Sequence, residues 1–226
     1  MVTDPVTTGL DSAPAEPRSG AKARRTRARL LAAAREIFDR NGFVETRVAD
    51  IASAAGASHG TFYTYFTSKD EIFRNLAIEV MDEFERSRKS HIAITDAESA
   101  YKAVYEMNQR YAKLMRDNAS VMAVWRQAAS VNTDLRDLLR AEDEMYIRRA
   151  ERGILRFRSL GFVGPVPDDR HAARALGSMV KEFCSEVFIA DLDFDFDTSV
   201  RTLTNIWAAA VGIPIPPAAA PSPPSS

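Results

Sequence analysis

Cysteine is almost missing from this sequence: Cys184 stands alone among 226 residues. One thiol forms no intrachain disulfide, so the fold is expected to rest on packing and to suit a reducing cytoplasm. Histidine is scarce as well. His59, His91 and His171 show no metal-ligand or triad spacing with one another or with Cys184. The carboxylates are spread along charged faces rather than grouped. An enzyme is therefore not expected, and neither is a cofactor. Long apolar runs are also lacking. Although 46% of the residues are hydrophobic, no stretch approaches the roughly 20 residues that cross a bilayer. The opening MVTDPVTTGLDSAPAEPRSG has no signal-peptide core, so no membrane partner is expected. Finally, there is no convincing strand-period segment and no internal repeat, which leaves an all-α chain.

Net charge looks equally empty, with 30 basic against 31 acidic residues. The balance is local, however. Residues 18–48 hold nine basic residues (Arg18, Lys22, Arg24, Arg25, Arg27, Arg29, Arg35, Arg40 and Arg47) against Glu36, Asp39 and Glu45, a net of +6. The remainder, with 21 basic and 28 acidic residues, carries −7. Positive charge gathered at one end is the electrostatic footprint of a nucleic-acid contact.

Directly after it comes TRVADIASAAGASHGTFYTYFTSK, residues 46–69. Thr46 is a candidate helix cap. Val48, Ile51, Ala52 and Ala55 then repeat on one narrow face. Gly56 supplies the positive φ wanted past a helix end. Ser58 can cap a second helix running to about Phe66, only two residues after Gly56, as in a helix-turn-helix unit. In that helix Phe62 and Phe66 lie one turn apart and face inward. Ser58, His59, Thr61, Thr64 and Tyr65 stay largely outward, with Tyr63 at the boundary. Hydroxyls and imidazole donate to phosphates and base edges, and a threonine methyl can touch a thymine methyl.

Together with the preceding helix, RARLLAAAREIFDRNGF, closed by Gly42 and Phe43, and with SKDEIF opening a fourth helix, residues 24–76 resemble the DNA-binding domain of the tetracycline-repressor (TetR) family of bacterial transcription regulators. The resemblance implies that the third helix enters the major groove of double-stranded DNA. Ser58, His59, Gly60, Thr61, Tyr63, Thr64 and Tyr65 would reach bases or nearby phosphates, His59 bearing most on sequence preference. It places Thr46 and Arg47 on the backbone at the start of the second helix and Lys69 at the start of the fourth. Arg24, Arg25 and Arg27 become phosphate or minor-groove arms. It also implies a cytoplasmic, nucleoid-associated protein.

Beyond that point the chain reads as helical nearly throughout, about nine helices in all. Ser68 and Glu71 form a capping-box pair opening a helix towards Arg88, and Thr95 with Glu98 repeat the spacing. Asn118 starts a short helix through Trp125, and Asn132 a long one ending near Gly161. GFVGPVPDD is a loop. Helices then span 168–189 and 198–211. The alternating Asp191, Asp193, Asp195 and Asp197 lack the glycine and closing glutamate of an EF-hand, and Phe194 and Phe196 intervene, so they read as a loop and cap. The expected domains are a disordered leader 1–20, a DNA-binding domain 21–67, a ligand-binding and dimerisation domain 68–213, and a disordered tail 214–226.

Two surfaces are expected in the second half. Tyr101, Tyr105, Asn108, Met122, Trp125, Gln127, Glu182 and Phe183 offer the aromatic walls and few polar groups of a small-molecule pocket, although such stripes also build plain core. The resemblance implies that the last two long helices form a homodimer interface, with Gly177, Phe188, Leu203, Ile206 and Trp207 as candidates. Two such subunits would read a palindromic operator, as a repressor released by an apolar or aromatic effector. An activator of the same fold, or a helical ligand-sensing module without specific DNA binding, are the alternatives.

Overall fold

The computed structural model describes residues 18–86, 92–162, 164 and 168–217. Among them lie nine α-helices and no strand: α1 (Arg18–Glu45), α2 (Val48–Ala54), α3 (His59–Tyr65), α4 (Lys69–Arg86), α5 (Ala97–Asp117), α6 (Ala119–Val131), α7 (Thr133–Ser159), α8 (Asp169–Phe188) and α9 (Phe196–Val211). The expected all-α architecture is what the chain adopts. Most of the expected leader, the end of the tail from residue 218, His91, the expected fourth-helix terminus at Arg88 and four of the nine residues of the GFVGPVPDD loop lie outside the described residues.

Helix ends follow local chemistry, with several shifts from the sequence pattern. Gly42 closes the regular part of α1 with φ 71°, a conformation open to glycine at little cost. Thr46 does not cap α2. Its hydroxyl is turned back to donate to the Gly42 carbonyl at 2.6 Å, and Arg47 takes the cap position in extended conformation. Gly56 (φ 59°) makes the turn to α3, where Ser58 Oγ accepts from the Thr61 N–H at 3.0 Å. Ser68 Oγ likewise accepts from the Glu71 N–H at 3.1 Å, but the Glu71 carboxylate reaches one residue further, to the Thr67 N–H at 2.5 Å. Asp96 displaces Thr95 as the cap of α5, its carboxylate accepting from the Ser99 N–H at 2.7 Å. Asp195 caps α9 through the Thr198 N–H at 2.8 Å, so that helix opens at Phe196 rather than Thr198. α6 continues past Trp125 to Val131.

Helices α1 to α3 and the first turns of α4 close around one apolar cluster. Phe38, Phe43 and Phe73 meet at ring-centroid distances of 5.1–5.8 Å, and Leu30, Ile51, Phe62 and Ile72 are fully buried beside them. Each such side chain contributes roughly 1.5–3 kcal/mol by leaving water. The remaining helices form a larger body in which α7 packs along α8, α5 along α9, and α6 between α7 and α1. α6 and the two residues that cap it bind the two parts together with three side-chain amides. Asn118 donates to Glu83 of α4 at 3.2 Å and accepts from Arg35 of α1 at 3.4 Å. Gln127 accepts from the Phe43 N–H at 2.6 Å, and Asn132 donates to Asp70 of α4 at 2.6 Å.

Candidate nucleic-acid interface and effector region

Two aromatic anchors fix α3. Phe62 is 0% and Phe66 2% exposed, and their burial turns the opposite face of the short helix to solvent. There Ser58, His59, Gly60, Tyr63 and Thr64 are exposed, while Thr61 and Tyr65 are half-buried. The hydroxyls are not all equally free. Thr61 Oγ1 lies 2.8 Å from Ser58 Oγ, and Thr64 Oγ1 donates back to the Gly60 carbonyl at 3.2 Å. The outermost groups are the His59 and Tyr63 rings, packed edge-to-face at 5.0 Å. A helix presenting imidazole, phenol and hydroxyls on a rigid apolar footing suits contact with base edges and phosphates.

The flanking cations divide by task. Arg24, Arg25 and Arg47 have exposed side chains. Arg27 donates to Asn75 of α4 at 2.6 Å and lies over the Phe66 ring, so it braces α3 while remaining exposed. Arg29 donates to the Ala55 carbonyl at 2.7 Å, which satisfies the end of α2. Two residues expected at the DNA backbone are placed elsewhere. Thr46 is 2% exposed and its hydroxyl is engaged as described, so that side chain is closed to a phosphate. Lys69 Nζ donates to the carbonyls of Phe43, Val44 and Thr46 at 2.8, 2.8 and 3.1 Å and sits over the Phe43 ring. Its charge is spent on the end of α1.

The eight residues expected to line one pocket are dispersed. Tyr101 donates to Asn205 at 2.7 Å, and Asn108 donates to Thr204 at 3.1 Å; both belong to the α5–α9 seam, with half-buried Tyr105 nearby on α5. The Asn108 Oδ1 is buried without a partner. Met122 and Trp125 are core residues; Trp125 is 0% exposed and its indole donates to the Leu135 carbonyl at 2.9 Å. Gln127 faces α1. Glu182 is an exposed side chain 3.6 Å from Arg126, and Phe183 stacks on Phe194. Three clefts are instead lined by other residues. One of about 490 Å³ runs between α1 and α4 past Arg24, Leu31 and Leu76. A second, of about 380 Å³, is ringed by Arg86, Arg110 and Lys113. A third, of about 30 Å³, is lined by Phe84, Glu142 and Tyr146.

The dimer candidates are also mostly turned inward. A side chain at Gly177 would stand 2.5 Å from Ile147 Cδ1, so its smallness serves the packing of α8 on α7. Leu203 and Trp207 are 1% exposed, Trp207 lying edge-on to Phe157. Phe188 packs on Phe196. Ile206 alone of the five is exposed, at 48%. Sequence reasoning passed over Glu142, which is 4% exposed. The available signal was its place in the stripe Leu135, Leu139, Glu142, Tyr146, Ala150 of a helix that otherwise buries apolar side chains there.

Residues 30–76 match the model of bacterial regulatory proteins of the tetR family. An uncharacterised HTH-type transcriptional regulator of Bacillus subtilis, YfiR, is 26% identical over 134 residues, 55% of this chain and 62% of its own length. HbdR, an HTH-type transcriptional regulator of an Aromatoleum species, is 28% identical over 148 residues, 62% of this chain and 61% of its own. The chain thus spans about six tenths of these relatives. Among solved structures, the Bacillus subtilis transcriptional regulator FadR in complex with stearoyl-CoA superposes with a TM-score of 0.66 at 20% identity, covering 81% of this chain and 98% of that one, a likeness of fold. Among the described residues no helix is long and apolar enough to cross a membrane. Residues 30–76, with their helix-turn-helix in this register, are thus similar to the tetR family of bacterial regulatory proteins, and the helical body behind them shares the fold of the FadR structure.

Proposed function

We propose that this protein is a cytoplasmic, sequence-specific DNA-binding repressor that reads a palindromic operator at the nucleoid as a homodimer and leaves it on binding a small apolar or aromatic effector. The observation that carries this reading is the polar outer face of α3, with His59 and Tyr63 outermost, set on Phe62 and Phe66 beside exposed Arg24, Arg25 and Arg47. Phosphate contacts from those arginines supply affinity, and α3 supplies discrimination. The N-terminal unit is taken as residues 21–67 and the effector and dimerisation unit as 68–213.

Dimerisation is supported by α9, where Thr202, Ile206 and Ala210 follow at i, i+4 and i+8 and are all exposed. Ile206 is the apolar centre of that stripe. Two copies joined there would set their α3 helices near one DNA turn, or a multiple of it, apart. The FadR structure holds stearoyl-CoA, and an apolar effector in the body of this chain follows the same plan. An effector acts through its differential affinity for two conformations. α4, which leads from α3 into the body, and the three amides of α6 and its caps connect that body to the DNA-reading end.

Selection of bound sites from random duplex DNA tests the reading. Palindromic sites with half-sites about one turn apart, bound with an affinity that falls steeply with salt, are the expected result. Recovery of no common sequence would overturn it.

A further inference from the structure

Glutamate is among the residue types least often buried, yet Glu142 lies inside the body at 4% exposure. Among the described residues no basic side chain forms an ion pair with it; its side chain shares a hydrogen bond with the neighbouring Asp143, whose carboxylate also holds Lys181 of α8 at 2.6 Å. Around Glu142 stands an aromatic wall. Tyr111 of α5 and Tyr146 of α7 meet at 4.4 Å, and Phe84 of α4 meets Tyr111 at 5.5 Å. Glu142, Phe84, Met145 and Tyr146 border a void of about 30 Å³, with Glu85 and Arg149, of opposite charge, also lining it.

We propose that this void between α4 and α7 is a binding site for a protonated primary amine, whose ammonium group pairs with Glu142 while its apolar remainder packs on Phe84, Met145 and Tyr146. This rests on the reading of the body as an effector domain and names the chemistry of one effector class. Three observations select it. The space holds one water-sized group, which admits –NH3+ and rejects a trimethylammonium. Aromatic rings attract a desolvated cation. The acids beside it also favour a cation, since the effect of Asp143 on Glu142 outweighs that of Lys181.

The proton balance follows. Burial foremost, then the neighbouring Asp143, raise the Glu142 carboxyl to about 8, against the opposing pull of Lys181. The other titratable groups facing it, Tyr111, Tyr146 and Cys184, are raised by burial as well and stay neutral. At neutral pH Glu142 therefore holds its proton. Binding converts a carboxylic acid and an alkylammonium ion into a carboxylate–ammonium pair plus one proton released to solvent. Affinity then rises about tenfold per pH unit up to about 8 and levels off until the amine itself deprotonates near pH ~10.4.

The test is titration calorimetry on the full chain with hexylamine, hexyltrimethylammonium, hexanol and hexanoate, in buffers of different ionisation enthalpy. Hexylamine is expected to bind at least tenfold more tightly than the other three and to release about one proton at pH 7. Glu142→Gln abolishes both the preference and the release; Glu142→Asp, should the amide variant misfold, keeps the release and weakens binding severalfold. Hexylamine binding no better than hexanol, hexyltrimethylammonium binding as well as hexylamine, or proton release surviving in Glu142→Gln overturns the proposal. Operator binding followed in parallel separates the two readings. Hexanol or hexanoate shifting operator affinity while hexylamine does not bind removes the amine site and leaves the effector domain. Hexylamine binding with its proton release and never altering operator affinity upholds the site and removes the effector reading.

Discussion

The N-terminal bundle and the helical body treat polar side chains in opposite ways. Among the described residues the bundle buries one, Thr46, and gives its hydroxyl a carbonyl within the same structure. The body buries Asn108, Asn118, Glu142, Ser185, Ser199 and Thr204, and at Asn108 leaves an oxygen without a partner. In the bundle, polarity is sorted outward, onto the face proposed to meet DNA. In the body it is kept inside, where an unpartnered group is costly and where a ligand that supplies the partner gains most. The difference separates a face proposed to read DNA from an interior proposed to take an effector.

The sharpest way to break this contrast is to remove the apolar footing of the outward face. Phe62→Ala should cost about 3–5 kcal/mol in urea unfolding and abolish DNA binding; a variant that still binds would show that α3 does not depend on its anchor. Next is the inward acid. Because the Glu142 pKa is raised on folding from an ordinary 4.5 to about 8, the folded state holds the extra proton in that interval. Stability is full below the ordinary value and declines by a few kcal/mol as pH rises to about 8. Thermal melts from pH 5 to 8 should show that decline in the parent and a flatter profile in Glu142→Gln. His59→Ala should remove about 1–3 kcal/mol of discrimination at one position of each half-site, read by repeating site selection, while general affinity changes little. Gln127→Ala deprives the Phe43 N–H of its acceptor and should cost about 1–2 kcal/mol in chemical denaturation. Smallest is Arg25→Ala, which should weaken binding to all sequences alike and lower the slope of log affinity against log salt by about 1.

Much of the bundle was legible because its signals are local. Gly56, Ser58 and the Phe62–Phe66 pair each act within one helical turn of themselves, and the structure places them as the pattern predicts. The errors were local too: Thr46 in the bundle, and Asp195 at the start of α9, differ from expectation by which neighbouring oxygen is engaged at a helix start. The body was legible as helices and little further. Trp125, Gln127 and Gly177 each meet a partner on another helix, Leu135, Phe43 and Ile147, and no spacing along the chain announces such a meeting. Glu142 hid for the same reason, since an acid in an apolar stripe reads as an exception until the neighbouring helices close over it.

The end of α1 carries a consequence for any attempt to isolate the DNA-reading part. Its last carbonyls are held by Lys69 and its Phe43 N–H by Gln127, from helices α4 and α6. A fragment cut after residue 67 would keep every side chain on the outer face of α3 and lose both fastenings. The shortest autonomous piece is therefore not the three-helix motif, and a reporter fusion or peptide mimic built on the motif alone should fray from Gly42 onward. Function at one end of the chain is completed by residues that only join it once the other end has assembled.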